Sequence, residues 1–167
     1  MGLTGDQTTD RELEQVLIHE SGHALVAALL NIPCDGICYQ KDLDGGMFCA
    51  VFPGGHRAAV SKQECLVSAA GVAAELLVHP DRESEGAGKD REDFSESSAL
   101  SFEEAVTASR AILLKEKRKL RRLVSMAKQR MREVDCDLGR LAEKEIDGKV
   151  YGVLLSKEDL NEVLTRR

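Results

Sequence analysis

A glutamate and two histidines stand inside an apolar, helix-forming stretch. Residues Val16 to Leu30 read VLIHESGHALVAALL, and His19, Glu20 and His23 interrupt the run. Residues four apart share one face of a helix, so His19 and His23 can aim two imidazole nitrogens at one point. An ionised carboxylate is costly to bury unpaired, and a plain core helix offers Glu20 no partner. The chain has four histidines, and two of them fall at this HExxH spacing. A bound cation accounts for the set better than two histidines placed by chance on a core helix.

Zinc suits the spacing, because it accepts imidazole nitrogen at about 2.0–2.1 Å in tetrahedral geometry. Glu20 would then sit beside a metal-activated water and take its proton. Gly22 leaves room for a substrate or a neighbouring strand.

Capping boxes organise the rest. Thr9-Asp10-Arg11-Glu12, Ser61-Lys62-Gln63-Glu64, Ser101-Phe102-Glu103-Glu104 and Ser156 to Asp159 each pair a hydroxyl with an acid three residues on. Four helix starts are expected there. The first helix ends at Asn31-Ile32-Pro33, since the residue before a proline leaves the helical region. The second is apolar nearly all round and reads as central, with Glu75 its one acid after the capping box. Gly71 and its alanine neighbours would let another helix approach. The third runs from Ser101 towards residue 135, with Asp135 to Gly139 a candidate interruption. Between the first two helices, GICYQ and MFCAVF are short β-prone runs, a hairpin or two strands of a small sheet. PGGHR reads as a loop with His56 exposed. Residues 1–8 read as disordered, and residues 80–100, rich in Gly, Ser and acids, as a flexible loop. Aromatics are only 4% and Trp is absent, so the core must come from Leu, Val, Ala and Ile. That favours packed helices: a mainly α (α+β) chain forming a single domain over residues 1–167.

These segments together resemble the peptidase domain of the FtsH-type ATP-dependent zinc metalloproteases. HESGHALVAALL is similar to that family's HEAGHA segment, and GGMFCAVFP to its glycine-led strand. SKQECLVSAAGVAAELL resembles the helix ending in GGRAAEE, SFEEAVTASRAILL the DLxxATxxARxMV helix, and LLSKEDLNEVL the C-terminal helix. The resemblance spans roughly residues 10–164. It implies a helical zincin-like peptidase fold, zinc held by His19 and His23, and Glu20 as general base. Met47, Phe48 and Cys49 would lie on a strand that binds extended substrate by strand addition. The chain departs from the family in lacking a G-x-x-x-x-G-K-[ST] loop and a membrane-spanning run.

The third ligand is the open question. The family places an aspartate at the start of the DLxxAT helix, and the best-matching position here is Ser101, a poor zinc ligand. A second register puts Asp93 there, and GAGKD offers Asp90. Asp93 is the first expectation and Asp90 the second. Glu75 is a distant third, because it matches a family glutamate that is not a ligand. The competing reading of both aspartates is ordinary loop acids, which would leave a remnant site.

Lys115 to Arg132 carries nine basic residues against one acid, although the chain's net charge is −6. Nucleic acid is the weaker reading of this helix, because no aromatics interleave for stacking. Packing against the acidic 81–104 segment or against a partner is the stronger. The five cysteines read as reduced thiols in a chain with no export signal. The expectation is an intracellular, cytoplasmic and soluble metallopeptidase acting on peptides or unfolded chains, alone, as a homo-oligomer or with a separate ATPase. The alternatives are a catalytically silent peptidase-like module and a helical interaction protein.

Overall fold

In the computed structural model, residues 3–40, 48–50, 58–81 and 87–166 are described. Six α-helices and four short strands follow one another: α1 (Leu3–Leu29), β1 (Ile37–Gln40), β2 (Phe48–Ala50), α2 (Lys62–Val78), α3 (Ala87–Glu92), α4 (Phe102–Lys115), α5 (Lys117–Glu133), β3 (Glu143–Ile146), β4 (Lys149–Leu155) and α6 (Lys157–Thr165). The fold is mainly α, with one small antiparallel sheet, as the composition and capping pattern indicate.

Three of the four expected capping boxes form. At Ser61, Ser101 and Ser156 the hydroxyl accepts from the backbone N–H three residues on, and the acid there reaches back to the cap. Thr9 is the exception, because α1 already begins at Leu3. A capping box sets a helix start only where the preceding residues leave the helical region, and residues 3–8 do not. Residues 3–8 belong to α1, where the sequence reading expected disorder over 1–8. At its other end α1 closes at Asn31, whose φ of 55° is left-handed. The Ile32 N–H then donates to the Ala27 carbonyl at 2.8 Å, a Schellman closure just before Pro33.

α2 is central, as expected: it packs on α1 and on α4. Gly22 serves that contact, since a Cβ there would run into the Ala70 carbonyl and the Ala74 methyl. The room it leaves is taken by α2, not by a substrate or strand. Leu17, Ile18, Leu25, Leu113, Leu120, Leu123, Leu154 and Leu155 fill the core with hardly any exposed surface.

The sheet runs β2-β1-β4-β3. β1 and β2 are the expected pair, with Ile37 opposite Ala50, Cys38 opposite Cys49 and Tyr39 opposite Phe48. β4 comes back from the C-terminal third to pair with β1, which draws distant segments of the chain together. The β3–β4 hairpin turns at Asp147 and Gly148, with φ of 51° and 78°. Two positive φ values are what a two-residue primed turn needs, and Asp-Gly supplies them. The long helix expected after Ser101 breaks at Glu116 and ends where Asp135 and Cys136 turn left-handed, φ 54° and 57°. The loop expected over 80–100 contains α3. No helix among the described residues is long and apolar enough to cross a membrane. The PGGHR loop, His56 and Met47 lie outside the described residues.

Candidate metal centre

α1 carries His19 and His23 one turn apart, and their Nε2 atoms stand 3.0 Å from each other. α3 brings in Asp90, whose Oδ2 lies 3.2 Å from His19 Nε2 and 3.4 Å from His23 Nε2. These three residues form the group among the described residues that can hold a metal ion. His19 and Asp90 are buried and His23 is half-buried.

The far sides of the rings decide which nitrogen is offered. His23 Nδ1 lies 2.7 Å from the Val67 carbonyl of α2. A carbonyl only accepts, so Nδ1 carries the hydrogen and Nε2 presents a lone pair. His19 Nδ1 meets the Glu75 carboxylate, whose other oxygen accepts from Gln15 Nε2 at 2.6 Å. Carboxylates and carbonyls in this position orient imidazole ligands and raise their basicity. Glu75, weighed from sequence as a third-choice ligand, meets the far side of the His19 ring. Its signal was visible: it is an acid on an otherwise apolar helix, and it is buried.

Two neutral imidazoles of this tautomer and one ionised carboxylate place three acceptors around one point. Asp90 Oδ2 is buried, and the polar atoms it faces are the two Nε2 atoms. Gly71 of α2 closes the site from another side. A Cβ there would stand 2.5 Å from both Nε2 atoms. The glycine thus keeps open the space in front of the ligand atoms, a role beyond the helix approach its sequence suggests.

Without a cation, a proton must hold these acceptors apart. Burial lowers the His19 pKa, but hydrogen bonds to Asp90 and Glu75 outweigh it and raise it to about 10. Burial raises the Asp90 pKa, but the two imidazoles outweigh it and lower it to about 2. His23 is also raised: burial opposes protonation and Asp90 favours it. With the Nε2 atoms 3.0 Å apart, two protons between the rings would face each other, so one is shared.

The carboxylate that stands with the two imidazoles is therefore that of Asp90, where Asp93 was the first expectation. Asp93 follows the last turn of α3. Its N–H donates to the Asp90 carbonyl at 3.2 Å and its own carbonyl accepts from Ala59 at 2.9 Å. The reason is local: read as loop, residues 90 and 93 are interchangeable, but a helical turn sends one of them inward. Ser101 is the N-cap of α4, bonded to the Glu104 N–H at 3.1 Å. Glu20 is half-buried beside His19, and its charge acts on both imidazoles. Phe48 and Cys49 lie on β2, an outer strand of the sheet next to α1.

Among the described residues, the basic helix α5 makes its contacts chiefly with elements other than the acidic segment. It lies against α1, α6 and β4, and its ion pairs include Lys128 with Glu14 at 3.0 Å and Arg130 with Glu133 at 3.3 Å. No protein-family model matches the sequence, and no curated protein matches it.

Proposed function

We propose that this chain is a zinc-dependent metallopeptidase, with His19, His23 and Asp90 as the metal ligands and Glu20 as general base. The observation that carries the reading is the triangle of acceptors. A tetrahedral zinc site with ligands at about 2.0–2.1 Å has ligand–ligand edges of about 3.3–3.4 Å. The three separations here are 3.0, 3.2 and 3.4 Å. Two nitrogens and one carboxylate oxygen are also the donor types of hydrolytic zinc sites, which keep a fourth position open. When bound, zinc supplies Lewis acidity, polarising a carbonyl and lowering the pKa of water.

The chain's own groups have distinct roles. Glu75 and the Val67 carbonyl hold the imidazoles with Nε2 outward. Asp90 supplies the negative charge that a dication needs in a buried site. Glu20 takes a proton from the attacking water and returns it to the leaving amine. β2 offers a backbone edge beside α1 to which an extended peptide can add. The other outer strand, β3, reads EKEI, and alternating charges there discourage pairing. The substrate is a peptide or an unfolded chain, delivered freely or by a separate ATPase partner. The likeness to FtsH-type peptidases at HESGHALVAALL supports the same reading.

Glu20→Gln tests it. Loss of the base is expected to slow cleavage of an unfolded protein such as casein by about 10²–10⁴-fold with metal content unchanged. Wild-type protein that holds zinc yet cleaves nothing would instead identify a catalytically silent, peptidase-like binding module.

A further inference from the structure

The two ends of α5 treat charge differently. Towards its C-terminus, Lys128 pairs with Glu14 at 3.0 Å and Arg130 with Glu133 at 3.3 Å. Near its start, Lys117, Arg118 and Arg121 have no ion-pair partner among the described residues. The first turn of α5 holds no acid. Cations there face the positive end of the helix dipole, where they weaken the helix. The fold alone therefore gives no reason for their position.

These cations gather at a groove. The α4–α5 junction and the last turn of α6 border a hollow of about 670 Å³. Seven of its lining residues are cations and one is an acid. Leu114 and Leu164 give it apolar surface. Leu114 is 59% exposed, more than any other large hydrophobic among the described residues. The groove shares no residue with the metal centre.

The make-up of the groove decides what it fits. A single-stranded nucleic acid needs cations continued along its backbone and aromatic rings for its bases. No aromatic residue and no histidine lines the groove. The exposed ridge of α5 runs on from Arg118 and Arg121 to Ser125 and Gln129, which are uncharged. The charge is thus a compact cluster, not a track, and phosphates make no use of an exposed leucine. A peptide helix that sets apolar side chains between acids uses both parts of the surface.

We propose that the groove between the α4–α5 junction and α6 docks an acidic, leucine-bearing segment of a partner protein. The segment's carboxylates pair with Lys117, Arg118 and Arg121, and its leucine packs on Leu114 and Leu164. Exposed ion pairs are individually weak, so several of them act together with the apolar contact. The inference does not depend on the peptidase reading, because its readout is binding at residues the metal centre does not use.

The test is fluorescence anisotropy of a dye-labelled peptide of repeated Glu-Glu-Leu, with poly-glutamate of equal charge as the comparison. The full chain carries Glu20→Gln throughout, so that the probe stays uncut. The Glu-Glu-Leu peptide is expected to bind more tightly than poly-glutamate, and less tightly as salt is added. The double variant Arg118→Glu/Arg121→Glu is expected to weaken both probes about tenfold or more. Leu114→Ser is expected to weaken the Glu-Glu-Leu peptide about three- to tenfold and to leave poly-glutamate unchanged. Arg118, Arg121 and Leu114 are exposed, and an unchanged helical circular dichroism spectrum checks that these variants fold. Equal binding of the two probes, or binding untouched by the charge reversals, would overturn the proposal. So would tighter binding of poly-uridine RNA or of phosphatidylserine vesicles than of the Glu-Glu-Leu peptide.

Discussion

At Gly71 a single methyl group decides whether the centre can work. Alanine there would put Cβ 2.5 Å from both Nε2 atoms. Alanine is also the better helix former by about 1 kcal/mol, so the helix itself is not endangered. Gly71→Ala is expected to lose metal binding while keeping its helical circular dichroism; calorimetric zinc titration reads the first. Glu75→Gln is a milder change, since an amide oxygen can still accept from His19 Nδ1 but carries no charge. Zinc affinity is expected to drop about 10–100-fold, read in the same titration. The residues within α1 were legible because their spacing alone puts them on one face. The choice between Asp90 and Asp93 was not, because it turns on whether three residues of an acidic, serine-rich segment form a helical turn.

That turn belongs to α3, an element of six residues from Ala87 to Glu92. Isolated helices this short do not persist in water, so tertiary contacts must hold it. Arg91 lies over the Phe102 ring at 4.4 Å and pairs with Glu103, both from the first turn of α4. Phe94 meets Phe102 edge-to-face at 5.3 Å, and the Asp93 carbonyl is bonded to Ala59. Asp90 is thus positioned by contacts between α3 and the start of α4. An exposed cation–π contact is worth about 0.5–1 kcal/mol, so Arg91→Ala is expected to weaken zinc binding about two- to fivefold. Competition with a chromophoric chelator measures that change. The break between α4 and α5 at Glu116 had no sequence signal, because no proline or glycine marks it. The β3–β4 hairpin had one in Asp147-Gly148, but EKEI and the charged residues before it lack the alternation that marks a strand.

Over the whole molecule, the site links stability to pH with opposite signs in its two forms. In the metal-free protein, the His19 pKa rises from 6.5 to about 10. Its stabilising contribution is complete below 6.5 and is lost as pH climbs through about 10. The Asp90 pKa falls from 3.8 to about 2, so its contribution is complete above 3.8 and is lost as pH drops through about 2. The chelator-treated protein is therefore expected to melt at lower temperatures as pH rises from 6.5 towards 10. Zinc must displace the shared proton, so zinc affinity is expected to increase over the same interval, by about tenfold per pH unit for one proton. Thermal unfolding with chelator and with zinc across that interval separates the two trends. The helical architecture was legible at this scale because hydroxyl–acid boxes mark three of its helix starts. The pairing of β4 with β1 was not, since strands more than a hundred residues apart leave no local trace.

The most direct test of the account is the zinc content of the purified chain, compared with Asp90→Ala and Asp93→Ala. The account predicts one zinc per chain in the wild type, its loss in Asp90→Ala and its retention in Asp93→Ala. A wild-type chain that neither carries zinc nor takes it up on addition would contradict it. Full occupancy surviving Asp90→Ala would do the same.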